Sequence, residues 1–361
     1  KKSYHMKTAL ITGITGQDGA YLAKFLLDKG YKVYGIYRRT SNPNFWRLQF
    51  LGISNKVTLI PADLSDSSSI LEAIKISDPD EIYNLAAQSF VGASFDQPVS
   101  TVQITGLGLI RILDCVRQIK PTIRVYQAST SELYGDGKIG IQNEDTPFTP
   151  SSPYATAKLL AFWAARNYRD AYGLYVCNGI LYNHESELRG LEFVTRKITN
   201  AAARIKLGLQ NKLKLGNLHA KRDWGHAKDY VESMWLMLQQ DEPDDYVIAT
   251  GETHTVQEFV EKTFSYLGLN WKDHVEVDEK LIRPQDVSYL QGDASKAKMK
   301  LRWQPKVTFD ELVKIMAEED YRRWKDWKGG KTFPWDAPYF PSDIEIISRL
   351  KRTNHKDPPK Y

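Results

Sequence analysis

Lys7-Thr-Ala-Leu-Ile-Thr-Gly13-Ile-Thr-Gly16-Gln-Asp-Gly19-Ala-Tyr-Leu-Ala-Lys-Phe-Leu26 reads as a strand, a glycine turn and a helix in immediate succession. Lys7 to Thr12 is a short apolar run of strand length, and Tyr21, Leu22, Phe25 and Leu26 recur at helical spacing. Glycines at such a junction let the backbone approach a pyrophosphate, and a helix N-terminus offers it free N–H groups and the positive end of a dipole. The spacing is G-x-x-G-x-x-G rather than G-x-G-x-x-G, so the flanking strand and helix carry the weight. Gly13, Thr15, Gly16, Gln17, Asp18 and Gly19 are the candidate residues for a dinucleotide.

Outward from this turn the same alternation continues. Lys32–Tyr37 is a second strand, and Arg38-Arg39-Thr-Ser follows where an acidic residue would hold the 2′-hydroxyl of NAD. Two guanidinium groups suit a 2′-phosphate instead, which favours NADP; one of the two arginines could equally be a surface residue or face a neighbouring subunit. Val57–Ala62 is a third strand, followed by Asp63 and Leu64; Asp63 either meets the adenine or caps the helix that begins near Ser65-Asp66. Glu81–Ala86 is a fourth, with small Ala86 and Ala87 where a ring system could lie close, and Ser89 just beyond. Arg124–Ala128, Leu174–Leu181 and a later run, Asp245–Thr250, complete the set. The expected fold is α/β, a Rossmann-type doubly wound parallel sheet with a smaller, sequence-discontinuous α/β substrate lobe. The expected division is 6–183 for the dinucleotide half, rejoined by segments near 223–251, then 184–327 for the lobe and 328–361 for a tail that Trp335, Tyr339 and Phe340 could hold to the body. Residues 1–5, ahead of Met6, read as a cloning remnant.

Bulk properties narrow the classes. The chain has 361 residues, 42% hydrophobic and 26% charged, enough for two lobes with a large core. A net charge of +5 suits an anionic small molecule and is not the dense basic stripe of a nucleic-acid binder. Cys115 and Cys177 lie in apolar periodic runs, as core thiols do, and no metal site is expected. No stretch reads as long and apolar enough to span a bilayer, and no signal peptide is visible, so a cytoplasmic location is expected.

The chemistry concentrates at Ser152-Pro-Tyr154-Ala-Thr-Ala-Lys158 and Ser129-Thr130-Ser131-Glu132. On a helix, Tyr154 and Lys158 share one face. Tyrosine titrates at about 10. To remove an alcohol proton near neutrality its pKa must fall by roughly 3, a differential stabilisation of about 4 kcal/mol. A lysine ammonium close by in a cleft can supply energy of that order. Tyr-x-x-x-Lys also occurs by chance on exposed helices, so the neighbouring residues matter. Glu132 adds a carboxylate that suggests a second proton transfer, beyond what a plain dehydrogenase needs; alone, it could merely start a helix.

Longer strings add a resemblance. Gly13-Ile-Thr-Gly-Gln-Asp-Gly19, Leu85-Ala-Ala-Gln-Ser89, Ser129-Thr-Ser-Glu-Leu-Tyr-Gly135, Asn183-His-Glu-Ser186, Phe193-Val-Thr-Arg-Lys-Ile-Thr199 and Arg222-Asp-Trp-Gly-His-Ala-Lys-Asp-Tyr230 resemble the GDP-mannose 4,6-dehydratase family, from about Met6 to about Ala317. Its wider group is the extended short-chain dehydrogenase/reductases acting on nucleotide sugars. The resemblance implies that GDP-mannose loses water with no net redox change, using NADP. It gives Tyr154 the C4 hydroxyl proton, Glu132 the C5 proton and, with Thr130, the leaving C6 oxygen. Leu64, Leu85, Ala87, Ser89, Tyr154, Lys158, His184 and Arg189 would then contact the cofactor. Ser89, Thr130, Glu132, Asn183, Val194, Lys197, Arg222 and Arg283 would contact the GDP-sugar. It implies a homodimer or homotetramer, with the loop from Arg38 to Trp46 as a plausible contact.

The family often has Asn-His-Glu-Ser-Pro-Arg-Arg where this chain has Asn183-His-Glu-Ser-Glu187-Leu188-Arg189, and a tyrosine where Ser100 stands. Other readings are a nucleotide-sugar 4-epimerase, a dehydratase that also reduces its 4-keto product, and a cofactor-binding regulator without turnover. Glu132 speaks against the epimerase, and the presence of both Tyr154 and Lys158 against the regulator.

Overall fold

The computed structural model describes residues 5–136, 140–282, 285–332 and 335. Strands β1 (Thr8–Thr12), β2 (Lys32–Tyr37), β3 (Thr58–Pro61), β4 (Glu81–Asn84), β5 (Arg124–Thr130), β6 (Val176–Leu181) and β7 (Asp245–Ile248) form one seven-stranded sheet in the order β7-β6-β5-β4-β1-β2-β3. All neighbours run parallel. Strand order reverses between β1 and β4, which opens a crevice at their carboxyl ends.

Parallel strands need crossovers. Five helices flank the sheet: α1 (Gln17–Asp28), α2 (Ser67–Ser77), α3 (Pro98–Ile119), α4 (Pro153–Tyr172) and, after α5 (Val194–Lys206), α6 (Ala227–Met237). The period-2 alternation of a strand sorts the core into two layers. Ala9 and Ile11 face Ala20, Leu22, Val231 and Met234 on α1 and α6. Leu10, between them, faces Ile70 and Ile74 of α2 and Leu109, Ile112 and Leu113 of α3.

Boundaries differ from the sequence reading for identifiable reasons. β4 stops at Asn84 because the N–H groups of Leu85 and Ala86 both turn to the Thr12 hydroxyl, at 3.0 Å each. β5 runs two residues further, since Ser129 and Thr130 continue to pair with Ile180 and Leu181. β7 is held by its first residue. The buried Asp245 carboxylate accepts from Arg166 at 2.7 Å, Arg169 at 2.9 Å and Asn178 at 2.9 Å. Burial would raise its pKa, but these bonds and the arginine charges bring it below the ordinary value.

The expectation that no stretch reaches membrane length is overturned. α3 runs for 22 residues through a π-helical turn at Val102–Gly106, long and apolar enough to cross a bilayer. The apolar residues responsible are core residues: Leu109, Ile112, Leu113 and Val116 are buried beneath the sheet. Cys115 and Cys177 are both free thiols, Cys177 buried and Cys115 partly so. Burial pushes the Cys177 thiol up to about 12.

The second body is built by α5, α7 (Val256–Tyr266) and α8 (Phe309–Lys328) around Ile198, Ala202, Trp224, Phe259, Phe264, Leu312 and Met316. Asp320 on α8 forms a fully buried ion pair with Arg196 on α5, at 3.0 Å, and also accepts from the Thr199 hydroxyl at 2.6 Å. Two short strands, Asn183–Glu185 and Trp224–His226, pair in parallel at the junction of the two bodies. Beyond α8, Trp335 packs edge-on against Trp324 with centroids 5.1 Å apart. Tyr339 and Phe340, and the rest of the tail from 336 on, lie outside the described residues.

Candidate active site

α4 begins where it does because Ser152 caps it: its hydroxyl accepts the Ala155 N–H at 3.0 Å, and Pro153 takes the first helical position. Tyr154 therefore stands on the first turn, and Lys158 follows one turn later. Both are buried. The Lys158 ammonium donates to the Ala128 carbonyl on β5 at 2.7 Å and lies 5.9 Å from the Tyr154 ring centroid. Burial lowers its pKa to about 8, against the pull of Asp18.

At the end of β5, the Thr130 hydroxyl accepts the Glu132 N–H at 3.2 Å and caps a single 3₁₀ turn, Ser131–Tyr134. Gly135 closes that turn at φ +65°, with the Thr149 carbonyl 1.9 Å from where a Cβ would stand. No other residue fits there, and the turn sets Glu132 directly after the end of β5. The Tyr154 phenol feels the Glu132 charge, and the Thr130 hydroxyl favours its ionised form.

The expected acidification of Tyr154 is not what this arrangement produces. Burial and then Glu132 raise the phenol pKa above its ordinary value, and Thr130 and Arg189 only partly oppose them. The physical reason is direction: Lys158 commits its ammonium to a backbone carbonyl, so Arg189 is the cation that pulls against the rise. Arg189 itself is fixed by Glu185 at 3.1 Å and by the Phe193 ring, 3.6 Å from its guanidinium carbon.

The glycine turn is a close-approach cradle. Gly13 has φ +70°, and a Cβ there would come within 2.9 Å of the Ala86 nitrogen. A Cβ on Gly19 would come within 2.2 Å of the Gly13 carbonyl oxygen. Gly16 caps α1 with no side chain, so the first-turn N–H groups of Gln17, Asp18 and Gly19 face outward. Asp18 meets His184 Nε2 at 2.5 Å, while Nδ1–H donates to the Tyr182 carbonyl at 2.7 Å. Burial opposes charge on both partners, yet their mutual attraction raises His184 and lowers Asp18. The His184 ring stacks on Tyr230 at 4.8 Å.

Sequence reasoning missed a buried polar chain beneath this cradle. Thr12 donates to Asn84 at 2.7 Å, and Asn84 donates to Gln127 at 2.7 Å. The available signal was a polar residue closing each apolar run.

The remaining predicted residues spread along the crevice. Arg38 and Arg39 are exposed just beyond β2. Asp63 accepts the Ser65 N–H and hydroxyl at 2.9 and 2.7 Å, which lowers its pKa, with a smaller pull from Arg38; the cap of α2 is Asp66. Leu64 is buried and its carbonyl accepts from Arg111 at 2.9 Å. Leu85 and Ala87 are half-buried after β4, and Ser89 is exposed. Thr15 turns its carbonyl to Arg47 at 3.2 Å. Asn183 pairs with Trp224, Val194 opens α5, and Lys197 is exposed one turn later. Arg222 is buried, with Asp286 at 3.5 Å. Arg283 lies outside the described residues.

A family model described as GDP-mannose 4,6 dehydratase matches residues 10–316. The chain belongs to the GDP-mannose 4,6-dehydratase family. GDP-mannose 4,6 dehydratase 1 of Arabidopsis thaliana is 56% identical over 87% of this chain and 90% of its own length. The Homo sapiens GDP-mannose 4,6 dehydratase is 52% identical over 86% of this chain and 91% of its own. Among solved structures, dTDP-glucose 4,6-dehydratase from Bacillus anthracis in complex with NAD superposes with a TM-score of 0.78 at 24% identity, covering 90% of this chain and 100% of that one. The Thermus thermophilus UDP-glucose 4-epimerase complex with NAD gives 0.75 at 25% identity, covering 87% and 98%. Dehydratases and epimerases thus share this architecture, while the family match falls on the dehydratase side.

Proposed function

We propose that this chain converts GDP-mannose to GDP-4-keto-6-deoxymannose and water, with NADP as a retained cofactor. The observation that carries the reading is the convergence of Glu132, Thr130 and Tyr154 at the end of β5, one carboxylate and one phenol within each other's field. When bound, the nicotinamide supplies a hydride acceptor and donor. Tyr154 takes the C4 hydroxyl proton. Glu132 takes the C5 proton and passes it to the departing C6 oxygen, which Thr130 holds by a hydrogen bond. An oxidation or epimerisation at C4 requires no such carbon acid–base pair.

Gly13, Gly16 and Gly19 fit a pyrophosphate: Gly13 and Gly19 hold the turn too tight for a Cβ, and Gly16 leaves the start of α1 without a side chain. Leu64, Leu85, Ala87, Lys158, His184 and Arg189 would complete the cofactor site. Ser89, Asn183, Val194, Lys197, Arg222 and Arg283 would hold the GDP-sugar. Arg38 and Arg39 favour a 2′-phosphate. Titration should give tighter binding of NADP than of NAD; equal affinities would remove that preference.

Residues 6–183 with β7 form the cofactor half in this reading, and 184–327 mainly the substrate lobe. The location is cytoplasmic. The assembly is a homodimer or homotetramer, for which exposed Leu160 and Trp163 on α4 offer apolar surface; light scattering at the monomer mass would overturn it.

Incubation with GDP-mannose tests the activity. Loss of one water is expected. A new isomer of unchanged mass, resolved by chromatography, would point to an epimerase, water loss with gain of two hydrogens when NADPH is supplied to an added reduction, and unaltered GDP-mannose to a regulator. Glu132→Gln should abolish water loss while GDP-mannose still binds by calorimetry. Full activity in that variant would refute the assigned role.

A further inference from the structure

Glu187 stands where the family often has proline, and the reaction above makes no use of it. Its surroundings give it one. The side-chain carboxylate accepts from the Tyr21 hydroxyl on α1. His226 Nδ1 accepts the Lys228 N–H at 3.1 Å, so its proton sits on Nε2, which faces the other Glu187 oxygen at 3.5 Å. Arg323 of α8 and Arg196 of α5 donate to the Glu187 carbonyl at 2.7 and 3.2 Å. One residue thus meets the cofactor helix, the start of α6 and two helices of the second body.

Three further contacts join the same segments, one of them from the Gln17 side-chain N–H to the His184 carbonyl at 3.1 Å. Ser186 donates to Gln17 at 2.6 Å, and Asp18 meets His184 at 2.5 Å. Gln17, Asp18 and Tyr21 occupy the first two turns of α1, and their partners are consecutive or nearly so in His184 to Glu187. The first turn of α1 carries the N–H groups that would face a pyrophosphate. Its position therefore depends on this row of side chains.

We propose that Glu187 and Tyr21 are positioning residues that lock the glycine-turn helix against the 184–187 segment and thereby slow cofactor release. The inference rests on the cofactor reading above. Tyr21→Phe removes one arm without creating a cavity. Glu187→Gln weakens both arms, because a carboxamide carries no charge and its single oxygen can take the place facing Tyr21 or the place facing His226 but not both. A control exists at the opposite end of the sheet: Tyr31 donates to buried Glu81 at 3.0 Å, the same phenol–carboxylate bond far from the crevice.

The test is release of bound NADPH, followed by fluorescence after addition of excess NADP, in wild type, Tyr21→Phe, Glu187→Gln and Tyr31→Phe. Tyr21→Phe and Glu187→Gln should each speed release at least about tenfold, with kcat at saturating cofactor within about threefold of wild type. Tyr31→Phe should lower the melting temperature comparably and leave release unchanged. Release unchanged in Tyr21→Phe and Glu187→Gln, or altered equally in Tyr31→Phe, would overturn the proposal and leave the cofactor reading standing. A wild-type protein that binds no nicotinamide nucleotide would overturn both.

Discussion

Tyr154 lies between opposing fields: burial and Glu132 resist its ionisation, and Arg189 and Thr130 assist it. Because its base form is the deprotonated one, removing the assisting cation should raise the pKa further. Arg189→Met should therefore move the rising limb of the kcat–pH profile toward higher pH, measured at saturating cofactor and substrate; an unmoved limb would show that Arg189 does not act on the phenol. At this scale the sequence was legible where chemistry follows local spacing. Tyr154 and Lys158 are one helical turn apart, and Thr130 and Glu132 lie on one strand end. It was not legible where the partner comes from elsewhere in the chain. Arg189 reaches Tyr154 from a loop beyond β6, and the Thr12–Asn84–Gln127 chain crosses three strands. The direction of the Lys158 ammonium could not be read either, since its acceptor is a carbonyl thirty positions away.

Elements were read more completely than their ends. Seven strands emerged from apolar runs bounded by turn residues, because two-sided burial in a parallel sheet demands continuous hydrophobicity. Their last residues depended on tertiary bonds such as those of Thr12 to Leu85 and Ala86. α3 escaped recognition as one helix because a π-helical turn joins its two α-helical stretches out of phase. The glycine turn allows the sharpest prediction about an element. In Gly19→Ala the new methyl would meet the Gly13 carbonyl oxygen and the Ile14 Cα, at 2.2 and 2.6 Å, so backbone must move. The expected cost is about 1–3 kcal/mol in denaturant unfolding, with weakened nucleotide binding. An unchanged midpoint with normal binding would contradict the tight junction.

Across the whole molecule, the second body depends on a charge pair that composition could not reveal. Arg196 and Asp320 are 124 positions apart and both fully buried. Asp320→Ala leaves a guanidinium without its main partner in the core, and such losses run at about 3–5 kcal/mol. Chemical denaturation should register that drop; a change below about 1 kcal/mol would mean water or another carboxylate compensates. Arg323 also lies 3.6 Å from Asp320 and keeps Glu319 at 3.0 Å, so a double variant with Arg196→Met separates the shares of the two guanidinium groups.

The sheet is completed from far along the chain. β6 is buried along its whole length, and the strand that covers its outer edge is not synthesised until residue 248. A nascent polypeptide that has emerged only through α4 and β6 therefore displays an unpaired apolar strand, a ready template for association with its neighbours on a polysome. Premature termination between 182 and 244 should yield insoluble product, whereas release after β7 has docked should not.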